Sequence, residues 1–304
     1  MAFADPYERQ VRLLVRALPL IMDDERLALK GGTAINLFIR DLPRLSVDID
    51  LVWLPIQARD DAMAAIDKAM QEAADRVRRG INGIHVEPGR NDGIVTKLNV
   101  REPGGVQIKV EINTVTRGYV FAPETRPVTA AVENRFGFAE VRVASFADLY
   151  GGKLVAALDR QRPRDLFDVR DLLAAEGLRD DLRRAFLVLL MSHNRPLHEV
   201  LAPVRRDLSA TYDREFIGMT DVEVPLADLE ATREHLINLA VAQMPDAHRR
   251  LLIGFNAGAP DWSLLAIDHV PTLPGVLWKQ RNLDSLDPER RRGLTDKLAE
   301  VWSG

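Results

Sequence analysis

Two aspartates separated by one apolar residue, Asp48-Ile49-Asp50, are the part of this sequence best suited to chemistry. They open the run Val47 to Trp53, which alternates apolar and polar residues as a half-buried strand does. Residues two apart on a strand point the same way, so the carboxylates stand side by side. Like charges held that close repel unless a cation lies between them. Mg²⁺ suits the pair, as a hard ion bound by one or two carboxylates together with phosphate oxygens. Mn²⁺ prefers the same donors.

Upstream, the apolar run Leu27-Ala28-Leu29 leads through Lys30 into Gly31-Gly32-Thr33, and a helical pattern resumes over Ala34 to Ile39. Strand, glycine turn, helix is a phosphate-binding order, because the main-chain N–H groups of a helix N-terminus lack partners and attract anions. Gly31 and Gly32 would cradle phosphates and the Thr33 hydroxyl would add a donor. A phosphate cradle beside a metal pair is what nucleotidyl transfer requires, the metal activating the attacking hydroxyl and neutralising the leaving pyrophosphate.

The elements that must hold these residues can be read from periodicity. Residues 7–22 carry apolar positions at helical spacing, and 58–79 is a long Ala-, Met-, Lys- and Glu-rich helical stretch. Residues 95–100 and 106–115 read as strands joined by the turn Glu102-Pro103-Gly104-Gly105. Beyond Phe146 the pattern turns helical, over 146–158, 165–175, 180–191, 227–242 and 288–302. The expected fold is therefore α/β (α+β), a mixed-sheet core over 1–145 followed by a mostly helical domain over 146–304.

Composition narrows the class further. The chain has 304 residues, 46% hydrophobic and 28% charged, which is ordinary for a globular protein. The absence of cysteine removes disulfides, thiolate zinc sites and cysteine nucleophiles. No stretch has the ~18 apolar residues that a membrane span needs, and the polar first ten residues lack a signal's apolar segment. A cytoplasmic protein with no membrane partner is expected. The net charge of −4 gives no global attraction to nucleic acid, so such a partner would dock on local basic clusters such as Arg160 to Arg164.

The run Leu29-Lys30-Gly31-Gly32-Thr33-Ala34, followed by Leu42-Pro43-Arg44-Leu45-Ser46-Val47-Asp48-Ile49-Asp50-Leu51, resembles nucleotidyltransferases with a DNA polymerase β-like core. More narrowly, it resembles the AbiEii/AbiGii toxins of type IV toxin–antitoxin pairs. The resemblance implies a later strand with a third carboxylate, here Glu111 in Lys109-Val110-Glu111-Ile112-Asn113. It implies a helix lysine that reaches the triphosphate, here Lys153 in Tyr150-Gly151-Gly152-Lys153. It also implies an Arg-Asp motif, matched by Arg164-Asp165 with Arg160 and Asp168 nearby. Asp165 is expected to begin a helix, where its side chain would serve equally as an N-cap.

The catalytic set implied is thus Asp48, Asp50, Lys153 and Asp165, with Gly31, Gly32, Thr33, Lys153 and Arg164 on the nucleotide and Asp48, Asp50 and Glu111 on the metal. The implied reaction is transfer from an NTP to RNA, at the 3′ end of a tRNA, with growth arrest and an antitoxin encoded next door. Two other readings stay open. One is nucleotidyl transfer to a protein side chain or a small molecule; the other is a nucleotide-binding regulator that transfers nothing. A further expectation concerns Ser46, two residues before Asp48 and following what reads as an exposed loop. Phosphorylation there would add about −1.5 to −2 charge beside an anion site and switch it off.

Overall fold

The computed structural model describes residues 5–303. Within it the chain forms two compact units, one of 1–145 with 218–223, the other of 146–217 with 224–304.

The first unit is a seven-stranded mixed sheet with helices. Helix α1 (Asp5–Ile21) is followed by β1 (Leu27–Lys30), the single turn α2 (Gly31–Ala34) widening into a π turn over Ile35–Ile39, and β2 (Asp48–Trp53). Then come α3 (Arg59–Gly80), β3 (His85–Asn91), β4 (Ile94–Arg101), β5 (Gln107–Asn113), β6 (Glu124–Pro127), α4 (Ala130–Phe136) and β7 (Glu140–Val143). The strand order is β3-β4-β5-β2-β1-β7-β6. Strand β2 thus lies near the middle, antiparallel to β1 and parallel to β5. Helices α1 and α3 pack together, α3 against β4 and α1 against β5. The apolar stripe of α1, including Val11, Leu14 and Leu18, is completely buried, which explains a helix with both apolar and charged faces.

Strands β3, β6 and the short interior strand β7 were not expected, and for β3 and β6 the reason is physical. Both lie at sheet edges, and both contain proline, Pro88 and Pro127. Edge strands tolerate proline and need bury only part of one face, so the alternation that marks an interior strand is weak there.

The short segment 218–223 belongs to this sheet unit although helices of the other unit surround it in sequence. The Leu45 N–H donates to the Met219 carbonyl at 2.8 Å, and Arg44 makes an isolated antiparallel bridge with Thr220. The loop before Asp48 is consequently enclosed, against the expectation of exposure: Leu42, Arg44 and Ser46 are all buried.

The second unit is helical throughout: α5 (Phe146–Arg160), α6 (Pro163–Ala175), α7 (Asp180–Met191), α8 (Leu197–Leu201), α9 (Ser209–Glu215), α10 (Leu226–Ile237), α11 (Asp246–Ala257), α12 (Pro274–Asp284) and α13 (Pro288–Glu300). Its centre is the packing of α5 on α7. Gly151 permits it, since a Cβ there would stand 2.8 Å from the Phe186 main-chain nitrogen. None of the described helices is long and apolar enough to cross a membrane.

Candidate active site

Pairing between β1 and β2 sets Lys30 opposite Asp50, and pairing between β2 and β5 sets Asp48 opposite Lys109 and Asp50 opposite Glu111. Asp48 and Asp50 are both partly exposed, while Ile49 between them is completely buried, so the two carboxylates share the open face. That is the arrangement expected from their spacing.

The turn after β1 is built around Asp50. Gly31 has φ +76°, and a Cβ on it would collide with Asp50 Oδ2. Glycine there supplies both the left-handed backbone and the space for the carboxylate. Lys30, the N-cap residue, gives the first-turn N–H groups no side-chain acceptor, which leaves them suited to an anionic ligand. Behind the turn, Asn36 Nδ2 donates to the Gly32 carbonyl at 2.9 Å.

Thr33 is completely buried. Its Oγ1 lies 2.5 Å from the Asp48 carbonyl oxygen and 3.1 Å from Ser46 Oγ. A carbonyl only accepts, so Thr33 donates to Asp48 and Ser46 donates to Thr33. The two hydroxyls tie the glycine turn to the first residue of β2. Ser46 is 7% exposed, so the access that a modifying enzyme would need is lacking. Arg44, also buried, donates to the Leu45 carbonyl at 2.8 Å and places a guanidinium beside Gly32, whose Cβ would lie 2.8 Å from Arg44 Nη2.

Three lysines surround the carboxylates. Lys109 Nζ is 2.9 Å from Glu111 Oε2, and Lys97 Nζ is 3.6 Å from Glu111 Oε1. Burial alone would pull the Lys109 pKa down, but the hydrogen bond to Glu111 and the charges of Asp48, Glu111 and Asp50 outweigh it and raise the pKa. Burial lowers that of Lys30, with the Asp50 charge opposing. Lys30, Asp50, Lys97 and Glu111 line a cleft of about 430 Å³ that reaches Gly89, Arg90 and Asn91. Of these cations, only Lys109 stood out in the sequence, by sharing a face with Glu111 and Asn113.

The donor set fits a hard divalent ion. Two adjacent carboxylates suffice for Mg²⁺ when a substrate's phosphates supply further oxygens. Among the described residues no group of three or more His, Cys, Asp or Glu side chains is arranged to hold a metal. Glu111 is the neighbour of Asp50 in register, with its carboxylate engaged by Lys109 and Lys97.

The second unit holds a buried charge network of its own. Lys153 Nζ lies 2.9 Å from both Asp165 Oδ1 and Asp168 Oδ2, and Arg160 Nη2 lies 2.9 Å from Asp165 Oδ2. Lys153, Asp165 and Asp168 are 7%, 3% and 2% exposed. Asp165 does not start its helix: α6 is capped at Arg162 and begins with Pro163, and Asp165 turns inward to Lys153 instead of capping main-chain groups. Burial would raise its pKa, but the charges of Lys153 and Arg160 win and hold it below the ordinary value. Arg164 Nη2 lies 3.6 Å from Glu215. A lysine that the sequence did not single out, Lys279, is buried and donates to the Arg195 carbonyl at 2.7 Å; burial lowers its pKa to about 8.

Three comparisons place the chain. The solved structure of MenT4, a nucleotidyltransferase toxin from Mycobacterium tuberculosis H37Rv, superposes with a TM-score of 0.58 at 17% identity, over 97% of this chain and 94% of that one. This establishes a common fold. Terminal uridylyl transferase 4 from Trypanosoma brucei, with bound dUTP, aligns with a TM-score of 0.29 at 13% identity, over 81% of this chain and 77% of that one. Comparison with curated protein sequences finds no match. The model of the nucleotidyl transferase AbiEii toxin family, type IV toxin–antitoxin system, matches residues 12–270. The chain belongs to that family and is a nucleotidyltransferase toxin of the type IV toxin–antitoxin class.

Proposed function

We propose that this enzyme uses Mg²⁺ to transfer a nucleotide from an NTP to RNA, at the 3′ end of a tRNA, and that growth arrest in the cytoplasm follows. The observation that carries the reading is the packing of Gly31 against the Asp50 carboxylate. It makes a main-chain turn able to bind phosphate and two same-face aspartates parts of one rigid feature.

Asp48 and Asp50 hold the ion, which when bound activates the acceptor hydroxyl and neutralises the leaving pyrophosphate. Gly31 and Gly32 present main-chain N–H groups to the phosphates. The hydroxyl of Thr33 is committed to the Asp48 carbonyl, so this buried residue positions the turn instead of touching the nucleotide. Lys153 supplies positive charge to the triphosphate, with Asp165 and Asp168 fixing its ammonium and Arg164 assisting. Glu111, beside Asp50 in register and now paired with Lys109 and Lys97, would be the third carboxylate on the ion. The acceptor oxygen bonds to the α-phosphorus as the bond to pyrophosphate breaks. The product of a neighbouring gene, the antitoxin, restrains the activity.

The test is incubation with each labelled NTP, Mg²⁺ and total cell RNA, resolved on a gel. One class of small RNA should gain label, and Asp50→Ala should abolish it. Label in protein or in a small molecule, with none in RNA, would overturn the acceptor.

A further inference from the structure

Strand pairing sets Lys30, Asp50, Glu111, Lys97 and Gly89 opposite one another in one row across β1, β2, β5, β4 and β3. All five line the same cleft, which continues to Arg90 and Asn91 at the sheet edge and takes in Thr96 and Asn113. Adjacent strands lie about 4.8 Å apart, so the row carries Lys97 about 10 Å and Gly89 about 14 Å from Asp50.

The outer end of the row differs from the inner end. Gly89 has no side chain, and a Cβ there would lie 3.3 Å from Lys97 Cβ, so the Lys97 stem runs over open floor. The side chains of Lys97 and Arg90 are 39% and 53% exposed. Lys97 meets Glu111 at 3.6 Å, beyond a good hydrogen bond. Arg90 Nη1 donates to the Gly93 carbonyl at 2.7 Å and lies 3.5 Å from Asp67, which leaves part of its five-donor fork for a ligand. The cleft lining carries the three cations Lys30, Arg90 and Lys97 and the two carboxylates Asp50 and Glu111, with Asp67 beside Arg90 as a third. A divalent ion at the aspartates would turn that balance into a positive excess. The lining has amide and hydroxyl donors and no aromatic ring. It is therefore equipped to hold a phosphate backbone and not to stack bases.

Gly31 and Gly32 follow β1 at one end of this row, and Arg90 stands at the other. A triphosphate on the glycine turn leaves the β3 end for the second substrate. We propose that Lys97 and Arg90, over Gly89 and beside Asn91, form a phosphodiester subsite for the acceptor RNA, holding its backbone behind the hydroxyl that reacts at Asp50. This rests on the RNA acceptor proposed above. It assigns the side from which RNA enters and makes its grip independent of sequence.

The test uses the full chain with Lys97→Gln, at a half-buried position, and Arg90→Gln, at an exposed one. Binding of a labelled single-stranded RNA with a free 3′ hydroxyl is measured by fluorescence anisotropy across a salt series, and NTP affinity by calorimetry. Each substitution should weaken RNA binding by about tenfold near 0.1 M salt and lower the salt slope by about one, with NTP affinity within about twofold of wild type. Unchanged RNA affinity would overturn the subsite. So would a parallel loss of RNA and NTP affinity, which would give the cleft to the nucleotide, or a wild-type chain that binds no RNA. A wild-type chain that binds RNA through Lys97 and Arg90 but transfers nothing to it supports the subsite and overturns the proposed reaction instead.

Discussion

Gly31 and Asp50 compete for one volume: a side chain on residue 31 would occupy the place of the Asp50 carboxylate oxygen. The glycine adopts φ +76° at the same point, a conformation that costs other residues roughly 1–2 kcal/mol. Steric exclusion thus couples the glycine turn to the Asp50 carboxylate, the two features to which the proposed function gives the phosphates and the metal.

Gly31→Ala should therefore damage catalysis more than stability. We expect a melting temperature lowered by only a few degrees and transfer reduced by about a hundredfold or more, on the scale of losing one well-placed electrostatic group. Steady-state labelling and thermal melts check both. Wild-type transfer by this variant would show that Asp50 need not sit where the structure has it.

Asp48→Asn and Asp50→Asn should each abolish transfer and growth arrest while leaving the fold intact. The carboxylates are partly exposed, and removing one of two neighbouring negative charges relieves repulsion. Expression toxicity and a melt measure the two effects. A variant of either residue that still arrests growth would remove the metal pair from the mechanism.

Lys153 should behave differently, because it is structural as well. Lys153→Ala leaves Asp165 and Asp168 buried without their cation, a situation that typically costs about 3–5 kcal/mol. Lys153→Arg should restore only part of the loss, since a planar fork does not replace an ammonium between two carboxylates. Chemical denaturation alongside transfer assays checks this, and a fully stable, fully active Lys153→Ala chain would place the lysine outside both roles. Asp165 adds a pH signature. Its folded pKa is lowered, after the charges of Lys153 and Arg160 overcome burial. Its contribution is therefore full above the unfolded value of about 3.9 and is lost as pH falls from there through the folded value. The stability gap between wild type and Asp165→Asn should be constant near neutrality and close in acid.

Lys279 should act in the opposite direction at high pH. Burial lowers its folded pKa to about 8 from 10.5. Between these values the unfolded chain binds the extra proton, so stability rises with pH across that window. Compared with Lys279→Met, wild type should gain on the order of 3 kcal/mol on passing from below pH 8 to above 10.5. Paired denaturation curves measure it, and parallel pH profiles would mean that the ammonium is well solvated.

What could be read directly from the residues is whatever depends on local spacing. Asp48 and Asp50 share a face because strand geometry repeats every second residue, and the glycine turn follows Leu27-Ala28-Leu29 because an apolar run ending in Gly-Gly must stop there. The long helices were legible for the same reason: their apolar residues recur at the helical period. The family motifs added Lys153 and Asp165 by resemblance. Packing decided the rest. That Asp165 holds Lys153 instead of capping α6 depends on how two helices meet, as does the burial of Asp168. The commitment of Thr33 to Asp48 depends on how the glycine turn meets β2, and the enclosure of the loop at Arg44 and Leu45 depends on the segment 218–223, which lies far along the chain. The row from Lys30 to Gly89 exists only because β1, β2, β5, β4 and β3 are neighbours in that order and register. Local periodicity says which way a side chain points on its own element; only strand and helix pairing across long sequence separations says what it meets.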